Sequence, residues 1–239
     1  MTIDAWIVTG ATRGLGRALA KQILNSGAGV AFCARHADTV KIAAADLSSH
    51  GSVIGMAGSV ADTDFVRRLV ERASTLGSLR GVVLNAAILP HPPLSAVHTL
   101  DPSDLRRVLD VNLLGALNVL QATHPYLGAH PSPRILAVTS DASWSAYPGW
   151  AGYGISKAAL ELLVLTYAKE NPAILTFVAD PGDMDTVLHR EALPTDATNL
   201  RNPDDVATGL MRLLTSPVAQ SGRWLIEQGT ENYEPREMS

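Results

Sequence analysis

The 239-residue chain has almost no cysteine, Cys33 standing alone. No internal disulfide can form, and a metal centre built on thiolates is excluded. A lone cysteine fits a reducing, cytoplasmic setting. The seven histidines are dispersed, so no metal constellation is read either. Aromatics are scarce at 5%, and charged residues make up 18% with a net charge of −4. Basic residues form no run, which argues against a nucleic-acid partner. No charged segment followed by an apolar stretch opens the chain, so no secretory leader is expected. The most apolar stretch, 158–168, carries Glu161 and is far shorter than the ~20 residues of a membrane span. Internal repeats and low-complexity segments are also missing.

What is present is an alternation. Trp6–Thr9 is a short apolar run ending at Gly10, Leu15–Leu24 has helical spacing, and Val30–Ala34 is apolar again. This is a βαβ pattern within about 30 residues. Further strands are expected at Ser52–Met56, Gly81–Asn85, Arg134–Thr139, Ile174–Ala179 and Trp224–Glu227. Helices are expected at Asp62–Thr75, Asp101–Thr123, Gly154–Glu170 and Pro203–Thr215. Asp62 offers a capping carboxylate, and Pro102 and Pro203 stand at helix starts. Seven apolar strands with helices between them predict a parallel sheet covered on both faces, in a single α/β domain. The segment 187–202 reads as a long connection after the sixth strand, the usual place for a substrate-binding loop or lid.

The first strand runs into Thr9-Gly10-Ala11-Thr12-Arg13-Gly14-Leu15-Gly16. Three glycines between a strand and a helix allow a tight turn, close backbone approach to a pyrophosphate, and N–H groups aimed at it. After the second strand, Ala34 stands where an acid would bind a ribose 2′-hydroxyl, and Arg35 follows it. Arg13 and Arg35 can together receive a 2′-phosphate, which favours NADP(H) over NAD(H). A second constellation is Tyr153 and Lys157, four apart and so on one helix face. Ser140 precedes them at a strand end, and Asn112 lies in the long helix before that. An ammonium beside a phenol, whose free pKa is near 10, favours phenolate and eases proton exchange.

The TGxxxGxG turn, the ordered set Asn112, Ser140, Tyr153 and Lys157, and the segments around them resemble the short-chain dehydrogenase/reductase family over roughly residues 7–229. The resemblance implies a doubly wound, Rossmann-type fold and reversible hydride transfer between NADP(H) and a carbonyl/alcohol pair. It implies Tyr153 as the acid/base, Lys157 holding the nicotinamide ribose, Ser140 polarising the substrate oxygen, and Asn112 holding a water that links Lys157 to solvent. It carries further cofactor contacts onto Thr12, Leu15, Ser59, Val60, Asn85, Ala86, Pro181, Gly182 and Thr186. Three departures stand out. Ala87 replaces a family glycine and must either crowd the turn or take a negative φ. Ser59 replaces an adenine-facing aspartate, and Asp180 and Asp183 add acid beside the site. Substrate contacts are expected from Leu89, His91, Asp141, Ser143, Trp144, Tyr147, Trp150, Asp183, Met184 and His189, beyond the carboxyl ends of the strands. The resemblance also implies a homodimer or homotetramer using the helices at 101–123 and 154–170. Two other functions fit the same motifs, a dinucleotide-binding regulator or scaffold, and an NADP-bound enzyme of non-redox chemistry.

Overall fold

The computed structural model describes residues 3–196, 198–217, 220–228 and 233–238. The strands are β1 (Asp4–Thr9), β2 (Gly29–Ala34), β3 (Val53–Ala57), β4 (Ser78–Leu84), β5 (Arg134–Val138), β6 (Leu175–Asp180), β7 (Gly222–Gln228) and β8 (Tyr233–Met238). They form one sheet in the order β3-β2-β1-β4-β5-β6-β7-β8. The first seven are parallel, as expected. β8 adds an antiparallel edge strand, pairing Tyr233–Met238 with β7, which the apolar-run reading did not anticipate.

Alternation along each strand feeds two cores. Trp6 and Val8 of β1, Val30 and Phe32 of β2, and Leu136 of β5 face one side, where α1 (Gly14–Asn25), α2 (Ala37–Leu47) and α8 (Pro203–Thr215) pack. Ile7, Ala31, Cys33, Ile135 and Ala137 face the other, beneath α3 (Thr63–Ser74), α5 (Gly115–Leu127) and α6 (Ala151–Glu170). Both faces of a parallel sheet are thus dry, which is why its strands read as continuous apolar runs. Burial pushes the Cys33 thiol up to about 12, so it is a packing residue rather than a nucleophile.

Caps set several helix starts. Asp62 accepts from the backbone N–H of Asp64 and Phe65 at 3.0 Å each. Asp101 and Asn202 do the same for α4 (Pro102–Leu109) and α8. The long helix expected over 101–123 is present as one continuous run, α4 passing through a π turn at Asp110–Leu114 directly into α5. α2 was not expected. Its buried stripe is only Val40, Ala43 and Leu47 among small and polar residues. The connection 187–202 is also more regular than expected, since it starts as α7 (Val187–Ala192), and Arg201 pairs by a β-bridge with Met184.

The strand order reverses between β1 and β4, and their carboxyl ends diverge there into a cleft.

Candidate active site

The glycine turn forms the cleft's floor. Gly10 has φ +71° and Gly14 φ +54°, a region that favours glycine. At Gly16 a Cβ would lie 2.5 Å from both the Asn85 side-chain nitrogen and the Gly10 carbonyl. Asn85 is what comes so near. Its Nδ2 donates to the carbonyls of Thr9 (2.9 Å) and Gly10 (3.0 Å), locking the end of β4 to the turn. Thr9 Oγ1 completes the lock by accepting from the backbone N–H of Asn85 and Ala86. No non-glycine residue among those described has a positive φ, so Ala87 takes the negative-φ alternative and packs against Leu89, Ala142 and Tyr153.

A cavity of about 580 Å³ opens above this floor, within the usual size of a small-molecule or cofactor site. Gly10, Thr12, Arg13, Gly14, Leu15, Gly16, Arg35, Ser59, Val60, Asn85 and Ala86 line one end of it. Ser140, Asp141, Trp150, Tyr153, Lys157, Pro181, Gly182, Asp183, Met184, Thr186 and His189 line the other. Arg13 and Arg35 are exposed and have no hydrogen-bond or salt-bridge partner among the described residues. Two unpaired guanidinium groups beside a glycine cradle that a single Cβ would fill suit a phosphorylated dinucleotide.

At the far end, α6 presents Tyr153, Lys157 and Glu161 at successive turns of one face, and all three are buried. The Lys157 ammonium donates to the Val138 carbonyl at 2.7 Å and sits 5.5 Å from the centre of the Tyr153 ring. Burial pulls its amine down to about 8, against the opposing pull of the Glu161 and Asp180 carboxylates. The Tyr153 phenol is pushed well above its ordinary value, first by burial and then by Asp180 and Asp141. The phenol therefore holds its proton at neutral pH. Trp150 stands edge-on to the Tyr153 ring at 5.8 Å and walls the cleft beside it.

Ser140 caps the short turn Asp141–Ser143, accepting from the Ala142 N–H and donating to Asp141 Oδ1 at 2.9 Å. The Tyr147 hydroxyl donates to the other Asp141 oxygen at 2.7 Å. Glu161 clamps both ends of this turn. It accepts from Thr139 Oγ1 at 2.6 Å and from the Ser143 hydroxyl, and pairs with Arg223 of β7 at 2.7 Å. Neither member of this ion pair was singled out from sequence as part of the site. The only available signal was the four-residue step from Lys157 to Glu161.

Several expected residues lie elsewhere. The Asn112 side chain sits behind the cleft, accepting from the Ile88 N–H and donating to the Ile88 carbonyl and Ser156 Oγ. It ties the loop after β4 to α6. Ser143 is consumed by Glu161 and Arg223. Trp144 and Tyr147 lie outside the cavity lining and are largely exposed. His91 is also away from the cleft, bound to Asp104 and close to Arg107. Leu89 packs behind Tyr153. His189 is buried at the cleft, its Nε2 2.7 Å from Asp196 and its Nδ1 3.7 Å from Asp183. Arg201 was missed. Its guanidinium donates to the Pro181 carbonyl at 3.1 Å and would be 2.5 Å from a Cβ at Gly182, so it braces that turn.

These features define an oxidoreductase of the Rossmann-type class. The family model described as short chain dehydrogenase matches residues 4–197, and the chain belongs to that family. It is 34% identical over 188 residues to an uncharacterised oxidoreductase of Listeria monocytogenes, covering 76% of this chain and 75% of that one. It is 28% identical to a 3-oxoacyl-[acyl-carrier-protein] reductase of Synechocystis, with 92% of each covered. Among solved structures it resembles an alcohol dehydrogenase of the archaeon Thermococcus sibiricus complexed with 5-hydroxy-NADP. There the TM-score is 0.84 and the identity 26%, with 94% of this chain and 96% of that one covered. No helix among the described residues is long and apolar enough to cross a membrane.

Proposed function

We propose that the protein is an NADPH-dependent carbonyl reductase with Tyr153 as the proton donor. The observation that carries this is the division of one cleft into two ends. Arg13 and Arg35 stand free at one end beside the glycine turn, and a protonated Tyr153 with Lys157 stands at the other. NADPH held along the glycine turn would supply the hydride to the carbonyl carbon. Tyr153 gives its proton to the carbonyl oxygen, and the Lys157 ammonium steadies the phenolate left behind. Ser140 turns its hydroxyl from Asp141 to the substrate oxygen and polarises it. Arg13 and Arg35 would hold the 2′-phosphate through their planar forks. The segment 187–202 closes over the substrate, with α7 held down by the His189–Asp196 contact. The NADP in the T. sibiricus complex and the ketone chemistry named for the Synechocystis relative support this reading.

Exposed Leu114, Ile155 and Leu162, at the start of α5 and on α6, support assembly as a homodimer or homotetramer through those helices. Calorimetry with NADPH and NADH tests the cofactor assignment. NADPH should bind about tenfold tighter or more, and Arg35→Ala should remove ~1.4 kcal/mol or more of that preference. Equal affinities, or a preference that survives Arg35→Ala, would overturn it.

A further inference from the structure

A second cavity lies at the opposite end of the sheet from the cleft. β1 runs from Asp4 at this cavity to Thr9 beside the glycine turn, about 17 Å of extended strand. Its volume is about 650 Å³, comparable to that of the cleft, and the reductase chemistry makes no use of it. Trp6, Ile23, Ala28, Met211 and Leu214 give it an apolar lining. The Trp6 ring lies over Gly81, where any Cβ would collide with it. Charge enters the lining through Arg80, Asp4 and His130.

An irregularity in the sheet puts Arg80 there. Ala5 pairs with Leu79 and Trp6 with Gly81, so Arg80 is an extra residue of β4 with no partner on β1. Such a bulge re-aims a side chain. The guanidinium is only half used. Its Nη1 donates to Asp4 Oδ2 at 2.8 Å. Its Nη2 has no hydrogen-bond partner among the described residues. Its Nε has none either and is closed to water, the one buried side-chain nitrogen or oxygen so left among the described residues. A dry donor without an acceptor is a costly arrangement. Nε and Nη2 form one edge of the planar fork, the edge that takes both oxygens of a carboxylate.

Nothing nearby fills that edge. The other Asp4 oxygen lies 3.2 Å from His130 Nε2, the donor nitrogen of that ring because Nδ1 accepts from the Ser132 N–H. The last carbonyls of α1 are taken by the Ser26 and Gly27 N–H groups and the Ser26 hydroxyl. Those of α8 are taken by the Thr215 hydroxyl and by Arg134 Nε, which donates to Leu214 at 3.2 Å. Arg134 adds a second positive charge close by, since its pKa falls first through burial and then through repulsion from Arg80. Asp4 is the only carboxylate in the lining.

We infer that this cavity binds a small carboxylic acid with an apolar body, its carboxylate on the Nε–Nη2 edge of Arg80 and its chain along Trp6, Met211 and Leu214. Admitting an oxygen at Nε takes a turn of the guanidinium, and a side chain that is 31% exposed has room for one. The bound anion gives Nε its acceptor and adds a second carboxylate where two guanidinium groups now share one. The surplus of positive charge disfavours an ammonium of the same length. The site is separate from the cleft, so the inference does not depend on the reductase reading.

Three eight-carbon probes make the test: octanoate, octan-1-ol and octylammonium. Each is titrated calorimetrically into the full-length protein, with and without NADPH, and its position is read from amide shifts in nuclear magnetic resonance spectra. Octanoate should bind about tenfold tighter or more than either of the others, with or without nucleotide. The shifted amides should cluster at residues 23–28, 78–81 and 211–215. Arg80→Met should bring octanoate to parity with octan-1-ol. Thr215→Trp fills the cavity from its exposed rim and leaves Arg80 in place. It should abolish octanoate binding as well, which guards against an Arg80 variant that does not fold. Octanoate binding no tighter than octan-1-ol, or an octanoate preference that survives both substitutions, would overturn the inference. Shifts centred on the glycine turn and Tyr153 would also overturn it, because octanoate would then be a ligand of the cleft.

Discussion

Glu161→Gln is the change that probes most of the site at once. Glu161 is 7% exposed, and its carboxylate accepts from Thr139 and Ser143 and pairs with Arg223, whose side chain is 23% exposed. Removing one member of a buried pair costs about 3–5 kcal/mol when the orphaned charge stays dry. Arg223 can reach water, and Gln keeps one acceptor for the turn, so we expect about 2–3 kcal/mol. In a chain of this size that corresponds to a Tm fall of roughly 4–12 °C. Urea unfolding of the single variants and of Glu161→Gln with Arg223→Met should show coupling of at least about 1 kcal/mol. The same substitution should also change the chemistry. Burial has pulled the Lys157 amine down to about 8, and Glu161 is the leading charge opposing that pull. The ammonium is present below this value and lost as pH rises through it. Without Glu161 the basic limb of the reduction profile should move to lower pH. A stability loss below about 1 kcal/mol, or a basic limb that stays in place, would refute the reasoning.

Lys157→Met should reveal the stability side of the same shift. The lysine pKa falls from 10.5 to about 8 on folding, so the unfolded chain binds more protons between those values. Wild-type stability should therefore rise relative to Lys157→Met as pH climbs through that window. The gain is on the order of 3 kcal/mol, read from urea unfolding at each pH, and a flat difference would contradict the assignment. Gly16→Ala should cost about 1–3 kcal/mol from overpacking and weaken NADPH binding in calorimetry, because the methyl meets Asn85 and the Gly10 carbonyl. Asp196→Ala releases the His189 contact that holds α7. Faster amide exchange confined to residues 187–193, with the global Tm unchanged, is the expected result.

The strands were legible because a parallel sheet buried on both faces keeps their central residues apolar, as in 82–84 and 135–138. Gly10, Ser140, Tyr153 and Lys157 were legible as a set because their types and order match the family's motifs, and the structure brings all four to one cavity. α2 was not, since Val40, Ala43 and Leu47 make a thin apolar stripe and His36 supplies no side-chain cap. β8 was hidden because Tyr233–Met238 carries Glu234, Pro235, Arg236 and Glu237, and edge pairing needs only backbone. The π turn at Asp110–Leu114 has no proline or glycine inside it to announce it. Long-range partners were out of reach. Nothing local marks Arg223 as the counter-ion of Glu161, 62 positions away, or Arg201 as the brace of Pro181. Trp144 and Tyr147 looked like substrate walls because they lie between Ser140 and Tyr153, yet the turn that Glu161 clamps leaves them on the outside.

The central claim is that Tyr153 gives the proton that completes hydride transfer from NADPH. It is tested most directly by comparing Tyr153→Phe with the wild type, measuring NADPH binding and ketone reduction on the same preparations. The account predicts unchanged NADPH affinity and a fall in kcat of about 10²–10⁴-fold. A variant that binds NADPH and reduces the ketone at the wild-type rate would contradict it.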